Sequence, residues 1–114
     1  MNNDTAVLNR IIERMARTLR YCDGRTCEDF EHNLMLQEAC VFNVLQIGEL
    51  TKKGLSDAFI GAHPDIPWRQ MYGLRNHIVH GYEGIMLNIV YDTITGDFPP
   101  LLERLRAIAQ EASD

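Results

Sequence analysis

Apolar residues recur at spacings of three and four along most of the chain, and no segment shows the sustained period-two alternation of a half-buried strand. Leu8, Ile11, Ile12, Met15, Leu19 and Cys22 share one helical face, with Asn9, Arg10, Glu13, Arg17 and Arg20 opposite. This predicts a first helix buried on one side, capped by Asp4 or Thr5 and stopped at Asp23-Gly24. A second helix is predicted to begin between Thr26 and Asp29, with Glu28, Asp29 and Glu31 as its acidic first turn, and to run to about Lys53. Its middle, from Leu34 to Leu50, is apolar on most faces, as in a helix buried centrally in a bundle or between subunits. The Met35, Phe42 and Leu45 stripe reads as core or dimer contact. Lys52-Lys53-Gly54 is a helix C-terminal signal, since lysines favour the negative end of the dipole.

Ser56 opens a short helical turn through about Ala62. His63-Pro64-Asp65-Ile66-Pro67 is an extended connection, because each proline biases its predecessor away from helix. Pro67 suits the first turn of a third long helix, which carries Trp68, Met71, Leu74 and Ile78, reaches the neighbourhood of His80, and ends or bends between Gly81 and Gly84. Met86 to Thr95 reads as another helix, stopped at Gly96-Asp97. The last runs from about Pro99 to Ala112 with Leu101, Leu102, Leu105 and Ile108 inward. Asp4, Asp23 and Asp57 read as caps or turn residues. The expected fold class is all-α, an antiparallel up-and-down bundle of four to five helices whose short loops make successive helices neighbours.

Length and composition narrow this picture. The 114 residues, 46% of them apolar, suit a single domain over residues 1–114 with one core. A net charge of -5 argues against a nonspecific duplex binder, which needs a broad basic surface. It leaves room for an enzyme that grips one or two phosphates with local arginines. Three cysteines, an odd count without a CxxC pair, fit a reduced cytoplasmic setting. The N-terminus lacks the basic and apolar regions of a secretory signal, and no apolar stretch reaches the roughly 20 residues of a membrane span.

Candidate chemistry concentrates in Arg75-Asn76-His77-Ile78-Val79-His80-Gly81-Tyr82. Arginine offers a planar fork of donors that matches phosphate oxygens. Histidine changes protonation near neutrality, so it can take a proton from a ribose 2′-hydroxyl or give one to a leaving 5′-oxygen. With the 2′-hydroxyl as internal nucleophile, no metal or cofactor is required. On an ideal helix Asn76 and His80 share a stripe, whereas Arg75 and His80 stand about 140° apart. Converging on one phosphate therefore calls for the long arginine stem, a bent helix end or a second subunit. Asn76 could orient His80 or cap the helix end. His77 could serve as a second acid/base group or face solvent or a dimer partner. Arg75 alone could be a salt-bridging residue, for instance to Glu49. His77 and His80 with His63 upstream could suggest metal ligands, but there is no HExxH, cysteine pair or suitably spaced carboxylate in the segment.

These residues resemble the HepT-like ribonuclease toxins of the HEPN superfamily, whose signature is an arginine, four to six residues, a histidine and often a tyrosine one residue on. Arg75, His80 and Tyr82 match it, and Gly73-Leu74, Asn76, Ile66-Pro67-Trp68 and Gln46-Ile47-Gly48-Glu49 are also similar. The resemblance spans about Val7 to Ala109. It implies a metal-independent endoribonuclease acting on RNA, with Arg75 and His80 catalytic and Asn76 and His77 supporting. It implies a homodimer with two motifs facing across a cleft. It also implies a cognate MNT-type nucleotidyltransferase antitoxin that can transfer AMP to Tyr82. An AMP there would add bulk and negative charge where RNA phosphate must bind. The competing readings are a noncatalytic HEPN-type binding subunit of a nucleotidyltransferase complex, and a structural helical dimer in which the motif only holds an interface.

Overall fold

Among the described residues, four long helices carry most of the buried positions: α1 (Asp4–Cys22), α3 (Leu34–Glu49), α5 (Trp68–Gly81) and α7 (Phe98–Ser113). Three short ones connect them: α2 (Cys27–Glu31), α4 (Asp57–Ala62) and α6 (Leu87–Asp92). This computed structural model describes residues 3–81 and 87–113, apart from the side chains of His77, Val79, His80 and Ser113. Among the described residues there is no strand, so the all-α expectation holds. No described helix is long and apolar enough to cross a membrane.

The apolar face of α1 lies inward as its period requires, with Leu8, Ile11 and Met15 fully buried. Asp4 does not cap this helix. Asn3 takes the N-cap position without a side-chain hydrogen bond, and the buried Asp4 carboxylate accepts from the Ser56 backbone N–H at 2.8 Å and the Ser56 hydroxyl at 2.7 Å. A residue read as a local cap is thus a tie over 52 positions. Asp23 does sit at the C-cap of α1, and Ser56 does cap α4, accepting from the Phe59 N–H.

The predicted second helix is two helices. Thr26 starts α2 through a capping box with Asp29. His32 then leaves helical geometry, and the Asn33 side chain accepts the Leu36 N–H at 3.0 Å to begin α3 anew. Apolar periodicity alone does not register such a break, because a capping asparagine offers the backbone an alternative partner. At its far end α3 passes into a π-turn, Leu50–Gly54. The buried Thr51 hydroxyl donates to the Ile47 carbonyl at 2.8 Å within this stretch.

Cross-contacts fix the helix directions. Along α1 and α3, Cys22 Sγ lies 3.7 Å from Cys40 Sγ and Arg14 Nη1 donates to Asn43 Oδ1 at 3.1 Å. Val7 packs where a side chain on Gly54 would lie. The numbers run in opposite senses, so α1 and α3 are antiparallel. Gly48 against Arg75, and Lys52 over Tyr72, give the same relation between α3 and α5. α7 closes the bundle against α1, with Phe98 and Leu105 buried.

Gly96-Asp97 does not stop the chain's helix. A second π-turn, Thr93–Asp97, leads straight into α7, with the Thr95 hydroxyl on the Tyr91 carbonyl at 2.9 Å. The buried Ile94 and Phe98 hold this passage. Pro99 and Pro100 follow directly as the second and third residues of α7, where their fixed φ suits a helix. Of the two readings of the Met35, Phe42 and Leu45 stripe, core contact does not hold for the first two. Within this chain Met35 is 84% and Phe42 51% exposed, so neither is core, while Leu45 is half-buried.

Candidate active site

The contact between α3 and α5 begins with a glycine. A Cβ built on Gly48 would overlap Arg75 Cβ and stand 3.3 Å from Arg75 Cα. The absence of a side chain there lets the two helices meet at Arg75 itself. The next residue, Glu49, accepts from Arg75 Nε in a close ion pair, and its other oxygen lies 3.2 Å from Lys53 Nζ. The Glu49 carboxyl is held below the usual glutamate range, first by Arg75 and then by Lys53. It therefore remains ionised as pH falls to its ordinary value, and the anchor is lost only as pH drops through the lowered one.

Engagement through Nε leaves the fork end of the guanidinium at the rim. Its Nη1 stands 3.5 Å from Asn76 Oδ1, and the Arg75 side chain keeps 21% exposure. Tyr72, one turn before, presents its ring to both Arg75 Cζ, at 5.8 Å, and Lys52 Nζ, at 4.9 Å. Both distances are within cation–π range. Two cations (Lys53 and Arg75) therefore pair with the Glu49 carboxylate and a third, Lys52, lies over Tyr72, a local excess of two positive charges in a chain of net charge -5. Such a rim can receive one phosphate without a broad basic surface.

The salt-bridging reading of Arg75 holds: it pairs with Glu49, and the pairing orients its side chain. Asn76 does not cap a helix end, because α5 continues five residues past it to Gly81; it sits exposed beside Arg75. His77 and His80 lie in the unbroken helix α5. Positions 75 and 80 are therefore about 140° apart around its axis, and no bend brings them together. The side chains of His77 and His80, and all of Tyr82, lie outside the described residues.

Sequence reasoning missed what Gly48, Lys52, Lys53 and Tyr72 contribute. The lysines carried a signal, since Glu49 and Lys53 are four apart and must share a helical stripe. Tyr72 precedes Arg75 by one turn. The role of Gly48 depends on which helix packs opposite it and has no local signature.

The chain matches the family of ribonuclease HepT-like proteins over residues 11–108. It is 32% identical over 106 residues to the probable ribonuclease HepT of Thermococcus cleftensis, an alignment covering 90% of each chain. It is 28% identical over 111 residues to a provisionally named RNase of Caldanaerobacter subterraneus, covering 97% of this chain and 98% of the relative. A provisionally named RNase of Methanocaldococcus jannaschii is 28% identical over 106 residues, with 93% and 87% covered. No solved structure matches significantly. With an all-α bundle, an arginine anchored across the contact of two helices and a family match over most of its length, the chain belongs to the HepT-like ribonuclease family of the HEPN superfamily.

Proposed function

We propose that the protein is a metal-independent endoribonuclease toxin that cleaves RNA by attack of the 2′-hydroxyl on the adjacent phosphorus. The observation that carries this reading is the Glu49-anchored Arg75, whose partly exposed guanidinium stands at the edge of the α3–α5 contact, with Lys53 on the same carboxylate and Lys52 on the same Tyr72 ring. In this reading Arg75 neutralises charge on the phosphorane oxygens. His80 takes the 2′-hydroxyl proton or protonates the departing 5′-oxygen. The products are a 2′,3′-cyclic phosphate and a 5′-hydroxyl. The angular separation of positions 75 and 80 favours a homodimer, in which two copies of the motif face one cleft. Exposed Leu34 and Met35 on α3 offer apolar surface for such an association.

The partner in this reading is an MNT-type nucleotidyltransferase antitoxin. The Tyr82 hydroxyl attacks the α-phosphorus of ATP in the partner's site, pyrophosphate leaves, and the resulting AMP-tyrosine blocks the groove. Asn76 acts as an aid to Arg75, and His77 as a neighbour of the proton-transfer group. Purified protein is expected to cut single-stranded RNA in excess chelator and to leave cyclic phosphate ends. Cleavage that disappeared with chelator and returned with zinc would overturn the mechanism.

Glu49 supplies a second test. Substituting Glu49→Ala frees Arg75 from its anchor, and misplacing a catalytic group by about 1 Å can cost ~10²-fold. We expect kcat to fall by up to that factor while the melting temperature barely moves, because a partly exposed ion pair competes with water. A large loss of stability with unchanged kcat in the remaining folded protein would make Glu49 a purely structural residue.

A further inference from the structure

The negative net charge conceals a basic face. Five of the eleven Lys and Arg residues fall within residues 10–25, where the only acids are Glu13 and Asp23. Three of them, Arg10, Arg14 and Arg17, line a groove of about 320 Å³ between α1 and α3, together with Glu13, Gln46 and Leu50.

The groove is built rather than a chance gathering of exposed side chains. Asn43, only 3% exposed, donates to the Ala39 carbonyl at 2.8 Å and so presents its Oδ1 to Arg14. The Arg14 guanidinium also lies 5.4 Å from the centroid of the Phe42 ring. Two fixed partners thus hold a cation that would otherwise sample many rotamers. Arg17 is held by Glu13 at 2.7 Å. Arg10 is exposed, and among the described residues no ion pair or hydrogen bond engages its side chain. Three guanidiniums against one carboxylate leave the groove with an excess of two positive charges.

Its place in the fold gives it a use. Gln46 of α3 and Leu50 at the start of the π-turn, which line it, bracket Glu49 in sequence, and Glu49 holds Arg75 of α5. Gly54 brings this spine against α1, and Gly48 brings it against α5. The basic groove and the Arg75 rim therefore lie on either side of one helix, about one helix diameter of 10 Å apart. A single RNA strand of a few nucleotides can cross that crest.

We propose that the Arg10–Arg14–Arg17 groove binds backbone phosphates of single-stranded RNA flanking the scissile linkage. This rests on the ribonuclease reading for the identity of its polyanion, and it adds a subsite outside the Arg75–His80 motif. Arg14 is a prepositioned phosphate fork, Arg10 is a free cation at the mouth, and Arg17 exchanges its Glu13 partner for phosphate.

The test uses the full chain and a labelled, 2′-O-methylated oligoribonucleotide of about 16 nucleotides, which can bind but not be cut. The variant is Arg10→Ala/Arg17→Ala, which spares the packed Arg14. The control, Arg69→Ala/Arg106→Ala, removes the same charge elsewhere. We expect binding by the groove variant to weaken roughly tenfold, and the slope of log affinity against log salt to become shallower by about 1.4, or 0.7 for each lost phosphate contact on a single strand. The control should keep the wild-type slope. Cleavage of a dinucleotide, too short to reach the groove, should keep wild-type kcat/KM in the groove variant. An unchanged salt slope, or an equal loss in the control, would overturn the proposal. So would a change in solution mass of the groove variant, which would make the groove a contact between copies of the chain. Absence of dinucleotide and RNA cleavage by the wild-type protein would instead count against the ribonuclease reading, and the binding comparison would still decide the groove.

Discussion

Replacing His80 with alanine is expected to slow RNA cleavage by about 10²–10⁴-fold, the usual contribution of a positioned proton-transfer group. Arg75→Ala is expected to cost about 10²–10³-fold, as removal of a single donor to a developing oxyanion does. The two losses should not add in the double variant, because both groups serve one transition state. Arg75→Lys separates charge from shape. It keeps a cation beside Glu49 but loses the planar fork, so an intermediate rate is expected. Single-turnover cleavage of a labelled RNA measures all four variants. Melting curves taken beside them decide what the rates mean. The Arg75–Glu49 pair is partly exposed, and such pairs add little to stability. A variant that lost activity only because the bundle melted would favour the structural-dimer reading of the motif. Full activity in His80→Ala would remove the proposed chemistry.

The largest effect on stability is expected at Gly48. An alanine Cβ there would overlap Arg75 Cβ, and it would meet Arg75 Cγ at 3.1 Å and Cα at 3.3 Å. These atoms belong to the root of the arginine and cannot swing aside, so α5 itself must shift. Overpacking of this kind typically costs about 1–3 kcal/mol. The intrinsic helix preference of alanine over glycine returns about 1 kcal/mol. Gly48→Val brings more volume and less helix propensity, and should show most of the overpacking cost. Gly73→Ala is the matched control. It lies within α5, and its added Cβ meets nothing within 4 Å. Only the propensity term acts there, so that variant should gain up to about 1 kcal/mol. Opposite shifts in melting temperature, of about 4 °C per kcal/mol for a chain of this size, are the expected result. Equal stabilisation by alanine at both sites would show that α3 and α5 do not meet as closely as Gly48 implies. Gly48→Val should also displace Arg75 and lower cleavage in the protein that remains folded.

Helical periodicity was sufficient to identify the long helices and their inward residues. Leu8, Ile11 and Met15 on α1, Met71 and Ile78 on α5, and Leu101, Leu102 and Leu105 on α7 all lie in the core, because burial of an amphipathic stripe is set by spacing alone. Breaks inside apolar stretches were less legible. Asn33 divides the single helix that the pattern predicts into α2 and α3 by offering its side chain to the backbone. Gly96-Asp97, which carries a stop signal, is instead carried through a π-turn by buried Ile94 and Phe98. In both places a local preference competes with tertiary burial, and the outcome depends on what packs alongside. Asp4 shows the same competition: its sequence position suggests a cap, while its carboxylate serves Ser56 across the fold.

The site divides along similar lines. The motif, with the residue types suited to phosphate and proton transfer, is contiguous in sequence and was legible without any structure. The anchoring of Arg75 by Glu49, 26 positions away, the close approach permitted by Gly48 and the contact of Lys52 with Tyr72 join α3 and the π-turn after it to α5. The same holds for the basic groove, since periodicity places Arg10 and Arg17 on the polar face of α1, but only the packing of α3 supplies Gln46, Asn43 and Phe42 beside them. By itself the sequence determined an all-helical chain and pointed to one segment as its candidate chemistry, because period and residue type are local properties. Only the tertiary structure decided which side chains meet across the grooves, because close contact between distant segments follows from how helices pack and not from spacing along either one.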